Sequence, residues 1–251
     1  LGTVFDCERG SFSYGGRRLH DHHPYHRLSV KEIITKSSNI GSAKVALRLG
    51  SPKLYHYVRQ FGFGERTRIS LPGEVRGMVH PLKKWNKLSI TRVPMGHEVA
   101  ATPIQMVMMA SAIANKGKLM RPMLLRQLED ERGQVVVKYH PEAVRQIVTP
   151  DTARKVTEAL KTVVQPGGTA TRAALEYYSV AGKTGTAQKA GRGGYIPGKY
   201  YSAFVGFFPA DRPALCIYVA LDEPTGDYYG GLTAAPVFKA ISERTASYLG
   251  I

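Results

Sequence analysis

Three features of the 251-residue sequence predict an α+β fold. Helix-start signals concentrate between residues 28 and 164, strand-like runs crowd between 179 and 221, and a single helical pattern closes the chain. The strand runs follow one another without intervening helices, which is the order of a meander, not of βαβ crossovers.

Residues 1–27 read as loop and short strand, punctuated by Gly10, Gly15, Gly16 and Pro24. Ser29-Val-Lys-Glu32 is a capping box that opens an apolar-periodic run through Ile33 and Ile34. Ser37-Ser38-Asn39 interrupts it, because these side chains compete with the backbone for hydrogen bonds. The run resumes from Ile40 to Leu49 and stops at Gly50, and a further helix is predicted over Pro52–Phe61. Residues 62–101 are rich in Gly and Pro. Thr102-Pro-Ile-Gln105 then starts an apolar helix to about Asn115, with proline at the first helical position. Thr149-Pro150 starts another through Val164, halted by Pro166-Gly167-Gly168. Strands are predicted over Ser179–Lys189, Tyr200–Pro209 and Ala214–Leu221. The last two are almost continuously apolar, as in a sheet covered on both faces. Pro236–Leu249 supplies a helix to cover one of them.

The composition is that of a globular chain: 43% apolar and 22% charged residues exclude collagen-like, disordered and coiled-coil classes. The longest uncharged apolar stretches, such as Pro103–Ala114, fall short of the roughly 18 residues of a membrane span. Charge is unusual, with 35 Lys+Arg against 19 Asp+Glu for a net +16. Such a balance suits an anionic partner such as nucleic acid, a phospholipid surface or a polymer of carboxylates and phosphates. Cys7 and Cys216 define neither a disulfide framework nor a zinc site. The opening at Leu1, without Met and without a leader pattern, suggests a piece of something longer.

Several segments invite chemistry. His20, Asp21, His22, His23 and His26 offer metal-ligand types, but their spacing matches no standard signature and a solvated loop is the default. Gly182-Lys183-Thr184 resembles the end of a phosphate-binding loop, yet Tyr177 stands where that motif needs glycine and the flanks read as strand. Lys199-Tyr200-Tyr201 and Tyr228-Tyr229 interleave cations and aromatics without any nucleic-acid motif, so no nucleic-acid partner is assigned. Ser37-Ser38-Asn39 alone is a helix break, and Lys183-Thr184-Gly185-Thr186 alone is a strand with a close-approach glycine.

Together the last two carry more. An S-x-N turn between helices followed far downstream by K-T-G-T on a strand resembles two signatures of the penicillin-binding protein and serine β-lactamase superfamily. Phe5-Asp6-Cys7, Ser29–Asn39, Thr102–Gln105, Ala114–Gly117, Pro166–Thr169, Ala181–Ala187 and Tyr228–Gly231 extend the resemblance over the chain. They resemble class B penicillin-binding proteins, the monofunctional transpeptidases, with the flavour of the septal, division branch. The resemblance implies an antiparallel sheet flanked by helices. It makes the 251 residues the C-terminal portion of one transpeptidase domain, with 1–27 a loop region, 28–175 mainly helical, and 176–251 holding sheet strands and the closing helix.

It also implies a reaction. A serine attacks the D-Ala-D-Ala bond of a stem peptide, D-alanine leaves, and an amine of a second stem resolves the ester into a crosslink. The base is the lysine of S-x-x-K, whose pKa must fall toward neutrality, and a second cation nearby contributes to that fall. Lys183 is assigned that duty; Ser37 relays the proton toward the leaving amine and Asn39 hydrogen-bonds the substrate backbone. Gly185 lets an extended peptide lie along the strand, Lys183 with the Thr184 and Thr186 hydroxyls holds the terminal carboxylate, and the Thr186 N–H is an oxyanion donor. One tension accompanies this assignment. Strand alternation puts Lys183 and Gly185 on one face and Thr184 and Thr186 on the other, so the groups converge only along a twisted edge.

No S-x-x-K occurs in the sequence; Thr152…Lys155 and Thr186…Lys189 are formal mimics in the wrong order. In the resembled family the nucleophile lies further from the S-x-N turn than the 36 residues that precede Ser37. The expectation is a chain that begins downstream of its nucleophile and, as given, cannot acylate. Gly96-His97-Glu98 is a second departure, where many relatives carry G-x-G. The implied partners are peptidoglycan stem peptides with their lipid-linked precursor, β-lactams, and a glycosyltransferase and division proteins reached through other regions. No cofactor or metal is implied, and the place is the extracytoplasmic face of the cytoplasmic membrane. Two other readings stand beside it. One is a D,D-carboxypeptidase, β-lactamase or β-lactam sensor of the same fold; the other is an inert homologue acting as a scaffold whose basic surface grips anionic wall or membrane.

Overall fold

A computed structural model describes residues 1–191 and 194–251. The chain opens with β1 (Val4–Asp6), β2 (Ser11–Tyr14), β3 (Arg17–His20) and β4 (Arg27–Ser29), paired as β1–β4 and β2–β3. The helical stretch begins with α1 (Val30–Lys36), whose capping box is formed: Glu32 N–H donates to Ser29 Oγ and Ser29 N–H to the Glu32 carboxylate. Next come α2 (Asn39–Leu49), α3 (Ser51–Gln60), β5 (Met78–Val79), α4 (Ser89–Arg92), β6 (Val99–Ala100) and α5 (Pro103–Ala114). The Thr102–Gln105 box caps α5, and the buried Gln105 amide reaches back to the carbonyls of Glu65 and Arg76 at 2.7 and 3.0 Å.

Strands β7 (Lys118–Met120), β8 (Gln127–Glu129), β9 (Val135–Lys138) and β10 (Ala143–Gln146) precede α6 (Pro150–Lys161). They qualify the reading of 28–175 as mainly helical. The β8–β9 hairpin exposes Val135, Val136 and Val137, so its pattern never alternates and carries no period-2 signal. α6 also ends at Lys161, short of Val164, because the chain turns inward there to bury Val163 and Val164 in the core.

The sheet that positions the site is β11 (Ala181–Gly191), β12 (Gly194–Phe208) and β13 (Leu215–Asp222), antiparallel in that order. α7 (Ala234–Leu249) covers one face, where Phe204, Phe208 and Phe238 are fully buried and the rings of Phe204 and Phe238 meet edge to face at 4.8 Å. α5 and α6 cover the other with Ile113, Val156 and Leu160 against Ala181 and Phe207. Burying each phenylalanine contributes about 1.5–3 kcal/mol, so this two-sided core holds the sheet rigid. β11 is an edge, paired only with β12 among the described residues.

Candidate active site

The S-x-N turn is built by two helices meeting head to tail. Ser37 caps α1 in the left-handed conformation, φ 56°, which costs an L residue about 1–2 kcal/mol. Non-glycine residues kept in this region cluster where function needs them. Ser38 is the N-cap of α2, its buried hydroxyl accepting from Gly41 N–H at 2.9 Å and donating to Asp21 at 2.6 Å. Asp21 also accepts from Ile40 N–H at 3.0 Å, and Asn39 Nδ2 donates to the His20 carbonyl at 3.1 Å. The histidine-rich loop is therefore a brace for the turn. Its His22 ring meets Tyr229 edge-on at 5.0 Å.

Across from the turn lies β11. Lys183 Nζ donates to Ser37 Oγ at 2.7 Å and approaches Thr184 Oγ1 at 3.3 Å. The tension between strand faces resolves here: on an edge strand the long lysine side chain curls round to the threonine side. Burial pushes the Lys183 ammonium down to about 8. Thr184 Oγ1 also meets Thr169 Oγ1 at 2.9 Å. Thr186 differs, since its hydroxyl accepts from Gly230 N–H at 3.1 Å and so binds the 228–231 segment to the strand. The structure thus brings Ser37, Lys183 and Thr184 into one hydrogen-bonded set. Asn39 is held beside it through His20, and Thr186 is turned to its own partner.

Two glycines behave differently. A methyl on Gly230 would sit 2.6 Å from the Gly185 carbonyl oxygen and closer still to that of Ala203, so close packing of the chain itself demands glycine. A methyl on Gly185 would meet only Ala203 Cβ, at 3.5 Å, an ordinary contact.

Two further contacts tie α1 to the end of α6 and the turn after it, where Lys36 Nζ donates to the Gly167 carbonyl at 2.7 Å and Thr35 and Thr162 share a hydroxyl contact, while Ser37–Lys183 ties α1 to the sheet. Farther along the β11–β12 hairpin, Tyr195 hydroxyl pairs with His97 Nδ1 at 2.9 Å. Burial, helped by Arg92, lowers the His97 pKa. Glu98, at the second glycine's place in the resembled G-x-G, holds φ 60° and pairs with Arg92 at 3.0 Å. Asp21, Thr169 and Gly230 are the supporting residues that sequence reasoning missed. Only the quoted Pro166–Thr169 and Tyr228–Gly231 segments hinted at the last two.

Comparison with known proteins places this geometry. The penicillin binding protein transpeptidase domain profile matches residues 2–243. Stage V sporulation protein D of Bacillus subtilis is 37% identical over 222 residues, covering 88% of this chain and 34% of that protein. The probable peptidoglycan D,D-transpeptidase PenA of Neisseria gonorrhoeae is 32% identical over 241 residues, covering 96% and 40%. Penicillin-binding protein 3 of Mycobacterium tuberculosis, in complex with aztreonam, superposes with a TM-score of 0.91 at 32% identity, covering 100% of this chain and 58% of that one. The transpeptidase domain of Burkholderia pseudomallei penicillin-binding protein 3 gives 0.90 at 31%, covering 100% and 73%. The chain spans 34% and 40% of those two curated relatives. With an S-x-N turn and a K-T-G-T edge strand joined by one lysine, it belongs to the penicillin-binding protein transpeptidase domain family.

Proposed function

We propose that this chain is the part of a class B peptidoglycan D,D-transpeptidase domain that recognises the acyl donor and handles the proton of the leaving amine. One observation carries the reading: the 2.7 Å bond from Lys183 Nζ to Ser37 Oγ, which joins the two signatures into one polar cluster on a strand edge left unpaired among the described residues.

In the proposed reaction the serine of an S-x-x-K segment, absent from these 251 residues, attacks the penultimate D-alanine carbonyl. The C–N bond breaks, the terminal D-alanine leaves with a proton, and an ester remains on the serine. An amine of a second stem then attacks the ester, forms the crosslinking peptide bond and returns the serine hydroxyl. Ser37 passes the proton in this reading, and the 2.7 Å bond from Lys183 supports it, since a hydroxyl that accepts from the lysine can still donate to a departing nitrogen. Lys183 and Thr184 offer cation and hydroxyl to the terminal carboxylate, and Thr186 offers its N–H to the oxyanion. Asn39, its amide NH₂ taken by His20, keeps its oxygen for a substrate N–H. The chain's own packing leaves room for a methyl at Gly185, so close approach of an extended peptide is the reason proposed for glycine there.

The protein's substrates are peptidoglycan stem peptides, and β-lactams acylate the same serine. The complex of the Mycobacterium tuberculosis relative with aztreonam supports the second point. The sporulation and penicillin-binding protein 3 relatives support a division-type role; contacts to a glycosyltransferase and division proteins are part of the same proposal. The place of action is the outer face of the cytoplasmic membrane. The test uses a longer protein from the same gene that includes S-x-x-K. A fluorescent penicillin must label it covalently, and donor with acceptor stems must give crosslinked dimer. Free D-alanine without dimer makes it a carboxypeptidase; absence of labelling makes it the scaffold.

A further inference from the structure

None of the acyl-site residues lines the groove of about 1100 Å³ that opens between the end of α3, the 62–77 loop, α5 and the β7–β10 pair. A hollow of about 410 Å³ adjoins it and shares Arg66, Arg68 and Glu74. Among the described residues, six arginines and no lysine line the groove: Arg59, Arg66, Arg68, Arg76, Arg121 and Arg145. They face two lining carboxylates.

Those carboxylates are already engaged. Glu65 is shared by Arg59 at 2.8 Å and Arg145 at 3.3 Å. Glu74 accepts from the Thr67 hydroxyl and from the N–H groups of Thr67 and Arg68, which fixes the loop and leaves little for a guanidinium. Arg121 pairs with Glu142 on the rim. Among the described residues, the exposed Arg66, Arg68 and Arg76 close no ion pair. The Arg145 Nε is buried without any hydrogen-bond partner, a donor left open where an unmet donor costs about 1–3 kcal/mol. Buried Gln105 pins the loop through the Glu65 and Arg76 carbonyls, so the cationic wall is preorganised.

We propose that this groove is a binding site for a multivalent phosphate anion. Arginine forks match phosphate oxygens two at a time, whereas lysine offers a point charge. One carboxylate would satisfy one fork, but three unpaired guanidinium groups and an open Nε call for several charged oxygens on one ligand. Nucleic acid fits poorly, since Phe61 is the one aromatic lining the groove among the described residues and a base-stacking platform needs more. The net charge of +16 draws anions to the whole surface, but the groove gives them a shaped place.

Calorimetric titration of the longer, S-x-x-K-bearing protein proposed above with tripolyphosphate tests it. One-site binding is expected, weakened at least tenfold by combined Arg66→Ala, Arg68→Ala and Arg76→Ala. Arg145→Lys, which keeps the charge but removes the Nε fork, weakens it severalfold. Arg17→Ala with Arg18→Ala, an exposed pair on the β2–β3 hairpin, leaves it unchanged. Melting curves of each variant without ligand confirm folding. Equal weakening by the hairpin pair, no effect of the groove variants, or equally tight binding of a tricarboxylate overturns the proposal. Vesicles of phosphatidate in phosphatidylcholine form the second arm: sedimentation that depends on the groove arginines assigns the phosphate to a lipid headgroup, and binding of tripolyphosphate alone assigns it to a soluble anion.

Discussion

Lys183 Nζ and Ser37 Oγ lie 2.7 Å apart although 146 residues separate them, and each is fixed by a different half of the fold. Ser37 owes its direction to a left-handed helix cap, and Lys183 owes its position to an edge strand locked by a two-sided aromatic core. Movement of either half breaks the bond.

In the longer, S-x-x-K-bearing protein, Lys183→Ala lowers the penicillin acylation rate by about a hundredfold or more, in the range of lost proton-handling or oxyanion groups. Ser37→Ala has a smaller effect alone and little added effect on Lys183→Ala, since the two act as a bonded pair. Stopped-flow labelling with circular dichroism as the fold control reads both. Undiminished labelling of Lys183→Ala would remove its proposed role.

Burial holds the Lys183 ammonium down to about 8, below its unfolded value of about 10.4. Carboxylate binding therefore weakens as pH rises through 8 and the cation is lost, seen as a rising KM for the donor stem. The stability sign is opposite. Between about 8 and 10.4 the unfolded chain binds the extra proton, so the penalty of burying this cation fades as pH rises. Against Lys183→Met, wild type gains relative stability over that window; a flat difference in melting temperature from pH 7 to 10 rules out the depressed pKa.

Asp21→Ala strips the buried Ser38 hydroxyl and the Ile40 N–H of their acceptor. The expected loss is about 1–3 kcal/mol in denaturant unfolding. In the longer protein it also slows acylation, because the S-x-N turn loses its brace. Asp21→Asn, which keeps an acceptor oxygen, recovers part of both.

Glu98 combines a left-handed backbone with an ion pair to Arg92. Glu98→Ala keeps the strain and loses the pair; Glu98→Gly loses the pair and relieves the strain. The glycine variant melts higher than the alanine variant, by about 1 kcal/mol in stability. The reverse order would show that this loop is not held in the conformation described.

Much of the fold was readable because its signals are local. Ser29–Glu32 and Thr102–Gln105 announce their helices, and the apolar runs around Phe204–Phe208 and Leu215–Leu221 read as covered strands. The exposed β8–β9 hairpin was not readable, since Val135–Val137 neither alternate nor pack. Of the site, Ser37, Asn39 and Lys183–Thr186 stood out through motif spacing, while Asp21 and Gly230 act only through partners distant in the chain.

By itself the sequence determined the helix caps, the strand-forming runs and the types of polar group available, because these depend on neighbours within a few residues. Only the tertiary structure decided that Lys183 turns round the strand edge to Ser37, that Thr186 belongs to Gly230, and that arginines from four segments share one groove. Such contacts depend on how whole layers pack, and no local pattern encodes the distance between side chains more than a hundred residues apart.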